Sequence, residues 1–75
     1  MSALIDQETE VNGRVWKLKV APGDAVAAGD VLMILESMKM EIPVEATASG
    51  VVSEVLVGEG DEVADGDIVV RLTAS

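Results

Sequence analysis

"GRVWKLKVAPGDAVAAGDVLMIL", residues 13–35, returns later in the chain as "GVVSEVLVGEGDEVADGDIVVRL", residues 50–72. A shift of 37 positions lays one stretch over the other without a gap. Gly13/Gly50, Val15/Val52, Val20/Val57, Gly23/Gly60, Asp24/Asp61, Val26/Val63, Ala27/Ala64, Gly29/Gly66, Asp30/Asp67 and Leu35/Leu72 are identical, 10 of 23 positions. Leu18/Val55, Val31/Ile68, Leu32/Val69 and Met33/Val70 stay apolar. The match extends weakly backwards, with Ile5 over Ile42 and Glu8 over Glu45. The 75 residues therefore read as one domain, 1–75, made of half-repeats at approximately 3–36 and 40–73. With only two copies, a solenoid is excluded.

Each half divides into strands separated by glycine turns. The first half gives strands at approximately 3–9, 14–20, 25–27 and 31–36, the second at 40–46, 51–57, 62–64 and 68–73. No stretch sustains a helical period. Valine dominates the apolar positions, which favours strands, and Trp16 is the one aromatic residue, so the core is aliphatic. The shared apolar positions 15, 18 and 20 step by three and then by two. Strict alternation would step by two throughout, so a bulge is expected near Trp16–Lys17. The expected architecture is all-β, with two like halves related by a pseudo-twofold axis.

"PGDAVAAGD" recurs as "EGDEVADGD". In each copy a Gly-Asp pair closes one turn, a valine points inward, and a second Gly-Asp pair closes the next. Asp61, Asp65 and Asp67 invite comparison with a calcium loop, but the place of the bidentate glutamate is held by Leu72. These acids are read as turn formers.

Composition removes several classes of function. The formal net charge is −9, which repels phosphate backbones, and Lys17 and Lys19 make no basic patch. Neither nucleic acid nor a membrane is an expected partner. There is no histidine and no cysteine. The usual general base near neutral pH is thus missing, and thiol chemistry, disulfides and cysteine-built metal sites are unavailable. No apolar run approaches membrane-spanning length and no signal peptide is recognised, so the expected location is the cytoplasm. The abundant acids are read as keeping a small, apolar-rich domain soluble.

One stretch escapes the structural grammar: "ESMKMEIPVEA", residues 36–46. It joins the two halves. The repeat shift puts Lys39 over Ser2, so the join must be a tight hairpin at the end of the molecule opposite the termini. Yet "SMKM" lacks the Asn-Gly or other glycine-containing pair that such a hairpin prefers. Local rules fail where topology demands a turn, and such conflicts mark functional sites. The alternative is a solubilising lysine on a loop. Against it stand the two flanking methionines, whose exposure needs a purpose, and the scarcity of lysine, three in the whole chain.

"ESMKMEI", together with the two "GD…GD" hairpins, resembles the attachment motif of biotinyl domains, and the resemblance covers nearly the whole chain. It implies a flattened eight-stranded barrel-sandwich of two antiparallel four-stranded sheets. It implies biotin joined as an amide to Lys39, with Met38 and Met40 as motif neighbours read by the ligase and Glu36, Ser37 and Glu41 as hairpin flanks. No catalytic residue and no metal ligand is expected in the chain itself. The implied partners are a biotin protein ligase, a biotin carboxylase and a carboxyltransferase, between which the arm would shuttle CO2. The alternatives are a lipoyl carrier of a 2-oxo acid dehydrogenase-type complex, with lipoate on the same lysine, and an unmodified structural or adaptor module. Related lipoyl hairpins usually carry Asp-Lys-Ala, which favours biotin here.

Overall fold

A computed structural model describes residues 3–74; Ser2, the repeat counterpart of Lys39, lies outside them. Eight strands follow one another: β1 (Leu4–Glu8), β2 (Gly13–Leu18), β3 (Ala25–Val26), β4 (Val31–Ser37), β5 (Met40–Glu45), β6 (Gly50–Val55), β7 (Glu62–Val63) and β8 (Ile68–Ala74). Each lies within about two residues of its expected place. β2 ends earlier than expected, at Leu18, whose N–H is taken by the Glu59 carboxylate at 3.1 Å rather than by a neighbouring strand.

The strands form two antiparallel sheets in the orders β1-β8-β6-β3 and β5-β4-β2-β7. A shift of 37 residues converts the second order into the first, strand for strand, so the pseudo-twofold repeat is a property of the backbone. The sheets do not close into one hydrogen-bonded barrel; they face each other as a flattened barrel-sandwich. Each sheet takes two strands from each half, so neither half can bury its apolar face alone. The core is one cluster drawn from both sheets, including Val15, Leu32, Met33, Leu35 and their counterparts Val52, Val69, Val70 and Leu72. Val26 and Val63 are buried in matching places, each in a two-residue strand between two turns.

The expected bulge is present. The β2–β4 register shifts between Val15 and Lys17, leaving Trp16 as the extra residue. The same shift recurs between Val52 and Glu54 in β6. A second matched pair of shifts lets Leu32 and Met33 face inward in succession, as Val69 and Val70 do. The irregular apolar spacing is thus the signature of bulges that bend each sheet around the core.

The Gly-Asp pairs make four copies of one turn. In the first, the Asp24 N–H donates to the Ala21 carbonyl at 3.0 Å, and the Ala21 N–H donates to the Asp24 carboxylate at 2.9 Å. Asp30, Asp61 and Asp67 repeat both bonds with Ala27, Gly58 and Ala64. The glycine before each aspartate has φ between +91° and +97°, as the third residue of such a turn requires. Its N–H then reaches into the other half: Gly23 to the Val52 carbonyl, Gly60 to that of Val15. The aspartates are therefore occupied in building turns, and among the described residues no cluster of acids is arranged to hold a metal ion.

The molecule is elongated, 40 × 18 × 18 Å. β1 runs from the terminal end and delivers the chain to Gly13, packed against the Glu36 carbonyl beside the β4–β5 hairpin. β5 runs from that hairpin and delivers the chain to Gly50, packed against the Thr73 carbonyl beside Ala74. The hairpin consequently sits at the end opposite Ala3 and Ala74, the first and last described residues.

The candidate attachment site

From Met33↔Val44 to Ser37↔Met40 β4 and β5 pair without interruption, so the hairpin loop consists of Met38 and Lys39 alone. Two-residue loops match the twist of their strands when both residues have positive φ. Met38 has φ 51° and Lys39 has φ 66°, and among the described residues they are the two non-glycine residues in that region. A side chain there raises the backbone energy by about 1 kcal/mol or more per residue. Asn-Gly would make the turn without that penalty; the chain has Met-Lys instead.

This geometry lifts Lys39 to the apex of the molecule. Met38 is 93 % exposed and Met40 61 % exposed, while the other methionine of the body, Met33, is fully buried. The hairpin methionines therefore contribute nothing to the core. Lys39 forms no ion pair or hydrogen bond with another described residue, so its amine stands ready for a partner. Lys17 lies flat on a strand, its ammonium 5.6 Å from the centre of the Trp16 ring, and Lys19 continues the same chain segment. Neither has the presentation of Lys39.

The flanks are charged in a way that stability alone would not select. Glu36 and Glu41 are exposed and stand directly opposite each other across the hairpin; like charges in that relation destabilise a sheet slightly. The same cross-strand row continues through Arg14 to Glu62, giving Glu41–Glu36–Arg14–Glu62 across the outer face of one sheet. Arg14 and Glu62 form a loose ion pair at 3.8 Å. Ser37 is half-buried, with its Cβ 3.4 Å from where a side chain on Gly13 would begin. Beside the hairpin a groove of about 460 Å³ opens between β2, β4 and β7, lined by Asn12, Arg14, Ser37, Met38, Glu62 and Val63 among others. Asn12, Arg14 and Glu62 were not among the residues that the motif singled out. The signal that marks them is a place where the repeat breaks: Arg14 and Glu62 stand over Val51 and Ala25 in the other half.

The site thus gathers Glu36, Ser37, Met38, Lys39, Met40 and Glu41 on one hairpin and offers one nucleophilic amine between two exposed thioethers. It can accept a covalent group and present it.

Comparison with known proteins agrees with this geometry. The protein family described as "Biotin-requiring enzyme" matches residues 5–72. A biotinylated protein TB7.3 homolog from Mycobacterium leprae is 48 % identical over 46 residues, 61 % of this chain and 65 % of that protein. A biotin/lipoyl attachment protein from Bacillus subtilis is 48 % identical over 42 residues, 56 % of this chain and 58 % of that one. The chain thus aligns with rather less than two thirds of the length of these relatives. Among solved structures, the urea carboxylase of Kluyveromyces lactis superposes with a TM-score of 0.88 and 43 % identity, over 93 % of this chain and 6 % of the carboxylase. A single-chain, multi-domain long-chain acyl-CoA carboxylase gives a TM-score of 0.89 at 28 % identity, over 96 % of this chain and 7 % of that one.

Proposed function

The chain belongs to the family of biotin-requiring enzymes, as a biotin attachment domain like those of carboxylases, and from that premise we propose that it is a non-catalytic carboxyl carrier whose biotin is joined to Lys39. The observation that carries the assignment to Lys39 is its place at the apex of a strained two-residue turn, with no partner in the body of the domain.

The attachment chemistry belongs to a biotin protein ligase, which activates the biotin carboxyl as an adenylate. The Lys39 Nζ, freed of its proton in the ligase site, attacks the carboxyl carbon; an amide forms and AMP leaves. An ammonium has no lone pair to attack with, so the ligase site must hold the neutral amine. Met38 and Met40 give that enzyme two exposed, adaptable thioethers beside the amine. Once bound, biotin supplies a ring nitrogen able to carry CO2 between a biotin carboxylase and a carboxyltransferase. The chain's part is to hold the arm at the end opposite Ala3 and Ala74 and to keep it at high local concentration near both enzymes. The absence of histidine and cysteine from the sequence suits a role in which partners perform the chemistry. The whole 1–75 segment is the carrier unit, and the cytoplasm is its proposed compartment.

The test is transfer. Protein loaded by a ligase with biotin and ATP, then incubated with a biotin carboxylase, ATP and labelled bicarbonate, should retain label on the carrier. Lys39→Arg should retain none. Label on the Lys39→Arg protein, or none on the loaded protein, would refute the assignment.

A further inference from the structure

The two ends of the molecule share a backbone but not a surface. At the terminal end the row equivalent to Glu41–Glu36–Arg14–Glu62 is Leu4–Thr73–Val51–Ala25. The fold therefore needs no charge at these positions, and the end that carries Lys39 has it. There Arg14, Glu36 and Glu62 border the groove that also takes in Met38, the residue next to Lys39. The groove offers Arg14 N–H groups as donors, and Glu62 and Glu36 carboxylates as acceptors. Asn12 accepts the Asp65 N–H through Oδ1 at 2.7 Å, leaving its amide N–H groups to donate. Met38 supplies the apolar surface; Val63, at the edge of the groove, is turned into the core.

The geometry points to this groove as a resting site for the bicyclic ureido ring of biotin, within the carrier itself. The inference rests on the carrier reading with biotin on Lys39. The ring has one carbonyl to accept from Arg14 or Asn12, two N–H groups to donate to Glu62 or Glu36, and a thioether ring to lie against Met38. The groove is shallow and open to solvent, so the ring would lie across it, held by its polar edge. The butyl chain of lysine and the pentanoyl chain of biotin are together long enough to fold back over Met38. The Arg14–Glu62 pair is 3.8 Å long with both side chains more than half exposed. Such a pair is weak, so both partners can exchange each other for the ring. The idle carrier holds the ring on its surface and yields it to a partner enzyme.

The experiment compares apo and biotinylated protein by heteronuclear NMR, with loading at Lys39 first verified by peptide mass. Amide shifts are expected at Asn12, Gly13, Arg14, Glu62 and Val63 as well as along residues 37–40, with nuclear Overhauser contacts from ring protons to Met38 or Arg14. The double variant Arg14→Val, Glu62→Ala copies the residues of the equivalent end and is compatible with this backbone. It should confine the shifts to 37–40. Avidin should capture biotin from the wild type about threefold more slowly than from the variant, for a ring docked two-thirds of the time. Absence of biotin from Lys39 overturns the carrier reading and this inference together. Biotin on Lys39 with shifts confined to the hairpin, or with equal capture rates, overturns this inference alone.

Discussion

Six of the described residues have left-handed backbone, and they fall into two kinds. Gly23, Gly29, Gly60 and Gly66 turn the chain where it must turn for the sheets to interlock, and each is followed by an aspartate that closes the turn. Met38 and Lys39 turn it at the apex of the molecule, where both side chains stand exposed. The first kind uses the residue that makes the conformation easy. The second uses residues that make it costly, although glycine is used freely elsewhere in the same chain. The difference teaches that the hairpin sequence answers to a requirement outside the fold: an amine between two exposed thioethers, held on a rigid strand pair.

The largest effect is expected when a structural turn is forced to carry the wrong residue. Gly66→Val puts a β-branched side chain at φ +91° and should lower stability by about 2 kcal/mol, read from urea denaturation. A neutral result would mean that these glycines are not needed for their conformation. The opposite exchange sharpens the contrast. Replacing Met38–Lys39 by Asn-Gly should raise stability by about 1–2 kcal/mol while removing modification altogether; a less stable product would show that the tip is not strained. Smaller is the effect of Asp61→Ala, which deprives the Gly58 N–H of its 2.8 Å acceptor and should cost about 1 kcal/mol. Smallest in stability, though not in function, is the exchange of both Met38 and Met40 for alanine. Denaturation should change by no more than about 0.5 kcal/mol while ligase-catalysed biotinylation slows. A loss of about 2–5 kcal/mol, as expected for the buried Met33, would make them core residues.

Much of this was legible in the sequence because the repeat supplied two readings of every position. An apolar residue present in both halves, such as Val26/Val63 or Leu35/Leu72, had to be core. A glycine present in both, such as Gly29/Gly66, had to be a turn. The step from Val15 to Leu18 announced the bulge at Trp16. The β2–β7 and β3–β6 pairings between the halves were not legible, because they join residues far apart along the chain, Gly13 to Val63 and Val26 to Gly50. Gln7 escaped as well. It is buried and trades hydrogen bonds with Thr47, yet its repeat counterpart is Val44, so neither apolar pattern nor repeat predicted a polar residue inside. At the site, Lys39 and its methionines are contiguous and were readable as a motif. Arg14 and Glu62 join them only through strand pairing, and only the break in the repeat, Arg14 over Val51 and Glu62 over Ala25, marks them.

The central claim is that a backbone built to present Lys39 makes it the one lysine to be modified. Intact mass, followed by peptide mapping, of the protein treated with a biotin ligase, ATP and biotin tests this most directly. The expected result is a gain of one biotinyl group, located on Lys39 and absent from Lys39→Arg. Biotin on Lys17 or Lys19, a gain that survives Lys39→Arg, or no gain under conditions where the ligase modifies a known acceptor would contradict it.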